Sequence, residues 1–170
     1  MISAVSIKNN FISCLSFLQT LSSVLLLLFL VSCDNNKIFE KNTNIYNSKW
    51  HALEIIPFDV LINDTVTPYN FYINIRNNTD YSYSNLYLFM TTIYPDKEIS
   101  KDTIECIIAD KNGKWFGNGI GKYRFLSLEL GKNIKFPQKG TYTFQFEQAM
   151  RTDTLENITD IGIRIEKSSL

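Results

Sequence analysis

The sequence predicts an all-β protein: a two-sheet antiparallel β-sandwich of jelly-roll or immunoglobulin-like shape, preceded by a cleaved lipoprotein signal peptide. Three observations carry the sandwich. Apolar and polar residues alternate with period two in run after run, and no run sustains helical spacing. β-Branched and aromatic residues dominate those runs. Turn chemistry separates them, at Asn77-Asn78-Thr79-Asp80, Asp110-Lys111-Asn112-Gly113, Asn118-Gly119-Ile120-Gly121 and Pro137-Gln138-Lys139-Gly140. Six to eight such strands need two packed sheets to bury their apolar faces.

The leader comes first. Lys8 is the only charged residue before Asp34. The stretch from Phe11 to Val31 is mostly apolar, with its dense core at Leu21 to Val31. Leu30-Val31-Ser32-Cys33 closes it in the pattern of a bacterial lipobox, where the peptidase cuts before the Cys and the Cys carries lipid. The dense core has the length of a signal-peptide h-region. An uncleaved transmembrane anchor, which needs about 20 apolar residues, and a secreted form without lipid are the alternatives. The chain thus divides into a signal peptide (1–32), the lipidated Cys33 with a polar tether (33–49) and the sandwich domain (50–170). More than one acyl chain on Cys33 suffices for stable anchoring without a polybasic patch. Membrane lipid is therefore the first expected partner.

Residues 33–170 suit one domain with one core. They carry all 17 Asp+Glu and every Lys and Arg but Lys8, so the charge balance is close to neutral. No basic field is present to hold nucleic acid, which excludes that class. Cys14 leaves with the leader and Cys33 is modified, so Cys106 has no intramolecular partner. Cys106 is either a buried small hydrophobe or a reactive thiol; the latter wants a cation or His beside it, and His51 is the only His.

Along the chain, Asp34 to Lys49 is rich in Asn and Lys and reads as the tether, with room for a short strand at Ile38-Phe39. Trp50 begins the globular part. Phe58 to Ile62 alternates partially. Tyr69, Phe71, Ile73 and Ile75 alternate with Asn70, Tyr72, Asn74 and Arg76, a half-buried strand. Leu86 to Ile93 is apolar on both faces and reads as a central strand. Ile99 to Ile108 follows the Pro95-Asp96-Lys97 turn. Tyr123 to Leu130 is either a strand or a short helix. Tyr142, Phe144 and Phe146 form one further inner face, and Ile161, Ile163 and Ile165 another.

Catalytic chemistry is not suggested. One His and one unmodified Cys cannot build a zinc site of the usual kind. The Asp110–Lys114 segment reads as a β-turn rather than a calcium loop. There is no Gly-x-Ser-x-Gly, and the Gly-rich 118–121 segment lacks the strand-to-helix context of a phosphate cradle. No cofactor is expected beyond the covalent lipid, and the chain is expected not to be an enzyme. Two surface features stand out instead. Tyr69, Tyr72, Tyr81, Tyr83 and Tyr87 fall within nineteen residues. Tyr72, Tyr81 and Tyr83 are expected to be exposed, suiting either a protein interface or a glycan platform, with plain packing as the alternative. Asp64-Thr65-Val66, Asp102-Thr103-Ile104 and Asp153-Thr154-Leu155 repeat Asp-Thr-aliphatic. This resembles the periplasmic O-glycosylation acceptor of the Bacteroidetes, making Thr65, Thr103 and Thr154 candidates; the alternative is that Asp-Thr simply opens strands.

Three strings then carry a resemblance: Asn74-Ile75-Arg76-Asn77, Gly113-Lys114-Trp115-Phe116-Gly117 and Phe146-Glu147-Gln148-Ala149-Met150-Arg151. With the lipobox and most of the stretch from Thr67 to Lys167, they resemble the gliding-motility lipoprotein GldH family of the Bacteroidetes. The resemblance implies a lipid-anchored envelope protein needed for surface gliding, tied to type IX secretion, with other envelope gliding and secretion proteins as partners and no enzymatic activity. Within it, Trp115-Phe116 is either a core plug or a docking knob. Arg151 is either an ion-paired surface residue or an interface anchor. A glycan-binding surface lipoprotein is the second class. Cells fed an alkyne fatty acid are expected to label the wild-type protein and not Cys33→Ala; equal labelling of both would rule out Cys33 as the lipid site.

Overall fold

A computed structural model describes residues 36–168 together with Gln19. Cys33, its lipobox and the proposed cleavage site lie outside the described residues. Among the described residues the chain forms ten strands. They are β1 (Lys37–Asn44), β2 (Lys49–His51), β3 (Ile56–Ile62), β4 (Tyr69–Asn78), β5 (Asn85–Ile93), β6 (Ile99–Ile107), β7 (Tyr123–Ile134), β8 (Gly140–Gln148), β9 (Thr154–Glu156) and β10 (Ile158–Lys167).

Eight of them make two four-stranded antiparallel sheets, in the orders β1-β10-β4-β7 and β3-β8-β5-β6, while β2 and β9 pair separately. Only β5 and β6 are both consecutive and paired; otherwise the chain keeps crossing between sheets. The first and last strands lie side by side. Of the two shapes the sequence allows, this strand order is the jelly roll.

The period-two alternation explains the core. Ile73 and Ile75 of β4 meet Ile163 and Ile161 of β10 in register and share the inner face with Ile165. Phe58, Leu86, Leu88 and Phe146 of the other sheet are also fully buried. Aromatic pairs fill the interior, among them Phe58 with Phe146 at 6.0 Å and Phe71 with Phe144 at 4.9 Å between ring centroids. Trp50 on β2 is buried opposite Leu155 of β9, and its indole N–H donates to the Glu54 carbonyl at 3.0 Å.

Two elements differ from the sequence expectation, and a third settles an open alternative. The tether is predicted to run to Lys49, and the globular part to begin at Trp50. Instead β1 pairs with β10 over its whole length, so the sheet begins at Lys37. The strand is polar on both faces because it is an edge, and only Phe39 packs against the core. The undecided Tyr123–Leu130 run is a strand, with Leu126 and Leu128 opposite Ile75 and Ile73. β5 is central as expected, but its second apolar face is not covered. Tyr87 and Phe89 face outward and remain part-exposed, with the Lys101 ammonium 4.7 Å from the Phe89 ring centroid.

Gly162 sits on β10 where the edge strand presses closest. A Cβ there would collide with Asn42 Oδ1 and lie 2.5 Å from the Lys41 carbonyl oxygen. Gly162→Ala should therefore lower stability by about 1–3 kcal/mol, the usual cost of overpacking. Urea denaturation checks this; an unchanged midpoint would mean that β1 yields freely.

Candidate functional site

The expected surface residues fall into two groups. Tyr83, in the β4–β5 connection, and Arg151, just after β8, line one groove of about 420 Å³ together with Tyr87, Ala149 and Met150. Two contacts fix the segment after β8 against β5. The Ala149 N–H donates to the Tyr87 carbonyl at 2.8 Å, and the Tyr87 N–H meets Met150 Sδ at 3.3 Å. Gln148 is buried and holds the turn from within, donating to the Thr152 carbonyl and accepting the Met150 N–H, each at 2.8 Å. That turn projects Arg151 into solvent. Arg151 has no hydrogen-bonding or ionic partner among the described residues. Its guanidinium is left with open donors beside two tyrosines and a methionine.

Tyr81 corrects the expectation of exposure. It is 5% exposed. Its hydroxyl donates to the Asn85 carbonyl at 3.0 Å, closing a short loop around the ring. Burial raises its phenol pKa well above the ordinary 10.0. Tyr81 nevertheless connects the group, with ring centroids 5.5 Å from Tyr83 and 6.4 Å from Trp115. Trp115 packs against the core, while Phe116, its neighbour in sequence, is 52% exposed. The preceding segment is a turn: Asp110 Oδ1 accepts the Asn112 and Lys114 N–H groups at 2.8 and 2.9 Å.

Tyr72 lies elsewhere. It belongs to the outer face of the β1-β10-β4-β7 sheet, under the Arg164 guanidinium at 4.5 Å, with its hydroxyl 3.5 Å from Glu129. Desolvation first, then the bond with Glu166, raises its phenol pKa. On the same face Asn74, only 2% exposed, donates to Asn42 at 3.2 Å and Glu40 at 3.3 Å and accepts from Ser127 at 2.8 Å.

The Asp-Thr sites differ in access. Thr103 is exposed on the edge strand β6, opposite Phe89. Thr65 is half-buried in the β3–β4 loop. There Asp64 accepts the Val66 N–H at 2.8 Å and the Thr67 hydroxyl at 2.5 Å, and the Thr67 bond is the main cause of its lowered carboxyl pKa. Thr154 is half-buried in β9.

Among the described residues no three His, Cys, Asp or Glu side chains gather as a metal site requires. Cys106 is fully buried, and burial pushes its thiol up from 9.0 to about 12.

The domain defined here is a jelly roll with two chemically different outer faces. Residues 37–165 match the family model described as GldH lipoprotein, and the chain belongs to that family. It is 37% identical over 144 residues to the gliding motility lipoprotein GldH homolog of Christiangramia forsetii, covering 81% of this chain and 88% of the relative. It is 33% identical over 155 residues to the gliding motility lipoprotein GldH of Flavobacterium johnsoniae, covering 86% and 96%. Solved structures resemble it only loosely. One is an uncharacterized protein of Listeria monocytogenes EGD-e (14% identity, TM-score 0.36, 68% of this chain and 9% of that one). Another is a family 35 carbohydrate binding module of Clostridium thermocellum (10% identity, TM-score 0.30, 72% and 97%).

The raised Cys106 and Tyr81 groups make a pH prediction. Above about pH 9 the unfolded thiol loses its proton while the folded one keeps it until about 12. The native state then holds more protons, so stability falls with rising pH across that window, by up to about 1.4 kcal/mol per unit for each such group. Cys106→Ala should flatten the fall in urea midpoint between pH 9 and 11. A slope equal to wild type would show that Cys106 does not contribute to it.

Proposed function

We propose that the protein is a non-catalytic, lipid-anchored component of, or accessory to, the gliding and type IX secretion apparatus. Cys33 holds it to a membrane of the cell envelope, and the jelly roll supplies a docking surface. The observation that carries this reading is family membership, with both curated relatives named for gliding motility. The groove at Tyr83, Tyr87, Met150 and Arg151 is the docking surface we assign. An unpaired guanidinium among aromatic and thioether side chains suits a partner segment that presents an acidic side chain beside an apolar one. Phe116 is its exposed outlier.

The test is a gene deletion in the native host, scored by colony spreading and by the secreted proteome. Wild type should restore both; Cys33→Ala should restore neither. Arg151→Glu should give an anchored, folded protein that supports spreading poorly, because it reverses the charge offered to the partner. Normal spreading and secretion in the deletion would sink the proposal. Full rescue by Arg151→Glu would dismiss the groove and leave the membership in the apparatus intact.

We also propose that one or more of Thr65, Thr103 and Thr154 carries an O-glycan. Thr103 is the most accessible of the three. Intact-mass measurement of the protein from its host should show sugar increments that Thr103→Ala reduces. A mass equal to that of the lipidated polypeptide would end this reading.

A further inference from the structure

A cleft of about 490 Å³ lies at one end of the outer face of the β1-β10-β4-β7 sheet. Its base is a single cross-strand rank. Asn44 of β1 stands opposite Asp160 of β10, Asp160 opposite Arg76 of β4, and Arg76 opposite Phe125 of β7. One line across four strands thus presents an amide, a carboxylate, a guanidinium and an aromatic ring, each about 5 Å from the next. Asn44 Nδ2 donates to the Thr159 carbonyl at 3.2 Å, which leaves its amide oxygen and one N–H open. Asp160 and Arg76 meet at 3.5 Å, which leaves most of the five guanidinium donors open. The Arg76 guanidinium lies 5.8 Å from the Phe125 ring centroid.

The Gly-rich 118–121 segment closes one side. Asn118 and Phe125 exchange both backbone hydrogen bonds, at 2.9 and 2.7 Å, which folds the loop back onto β7. A Cβ on Gly119 would run into the Tyr123 carbonyl oxygen, so this close return requires glycine. The loop leaves Tyr123 half-exposed and Ile120 93% exposed on the cleft wall. The opposite side is the turn at Tyr46–Ser48, where Asn47 and Ser48 both hold left-handed backbone, with φ of 50° and 55°.

We infer that this cleft is a saccharide site that takes a neutral pyranose residue of an oligosaccharide. A sugar offers adjacent hydroxyls that both donate and accept, and a C–H face that lies on aromatic rings. The rank supplies planar groups suited to adjacent hydroxyls, with Asp160 as acceptor, Arg76 as donor, and Asn44 as both. Tyr123 and Phe125 supply the stacking surface. An anionic ligand is disfavoured because Asp160 already answers the Arg76 charge. A lipid or apolar ligand would leave the rank's polar groups without partners. The inference does not rest on a role in gliding.

The test uses the full lipoprotein in micelles of a sugar-free amine oxide detergent. Saturation-transfer-difference NMR is run with maltohexaose, cellohexaose, chitohexaose and trigalacturonate, followed by titration. At least one neutral oligosaccharide should receive transfer at its ring protons. Tyr123→Ala and Asp160→Asn should each weaken that binding by about tenfold or more. Lys139→Ala, in the exposed turn before β8, should leave it unchanged. Asp160→Asn is isosteric, so the test survives if Tyr123→Ala loosens the loop. Transfer to none of the four, or transfer indifferent to both cleft variants, would overturn the site. Binding of trigalacturonate alone would overturn its neutral character.

Discussion

Everything in this domain depends on two apolar faces being pressed together. The only cysteine in the described domain, Cys106, is buried without a partner, so no cross-link shares the task. Burial of Ile73, Ile75, Ile161, Ile163 and Ile165 against Phe58, Leu86, Leu88 and Phe146 supplies the driving force. The strand order follows from this need. A chain that crosses between sheets at almost every connection ties each face to the other many times. The first and last strands, as neighbours, bring the two ends of the domain into one sheet.

With the inner faces committed to the core, the outer ones are free to differ. The β1-β10-β4-β7 face is polar and internally bonded, running from Glu40 and Asn42 through Asn74 to Ser127. The β3-β8-β5-β6 face keeps Tyr87 and Phe89 part-exposed with Lys101 beside them. The two outer faces thus differ in chemistry, one rich in amide and carboxylate groups and the other keeping aromatic rings at its surface.

The strands with clear alternation were legible in the sequence because period two is the direct imprint of a one-sided sheet. β1 was not legible. Lys37-Ile38-Phe39-Glu40-Lys41-Asn42-Thr43-Asn44 lacks an apolar face, and its place is set by the backbone of β10, which no local pattern reveals. The loop position of Tyr81 suggests exposure, but the Asn85 carbonyl gives its hydroxyl a partner inside, which no local pattern reveals. Arg151 and Tyr83 were each visible as candidates, but their meeting depends on the β5–β8 pairing. The Asn44–Asp160–Arg76–Phe125 rank is invisible for the same reason: its members lie on four strands, and only the register aligns them.

The early start of β1 would set how far a domain lipidated at Cys33 could stray from a membrane. Four peptide units link Cys33 to Lys37, a reach of at most about 14 Å whatever path they take. A lipid on Cys33 would thus leave the domain on a very short leash, with the Lys37–Glu166 end of the sheet nearest the bilayer. The eight residues of β1 then run about 25 Å to Asn44. With such an anchor, the distance between the membrane and the cleft at Asn44 would be built from sheet rather than slack chain. The protein would work as a post of fixed height, presenting its far end to whatever passes at that level of the envelope and to nothing beyond.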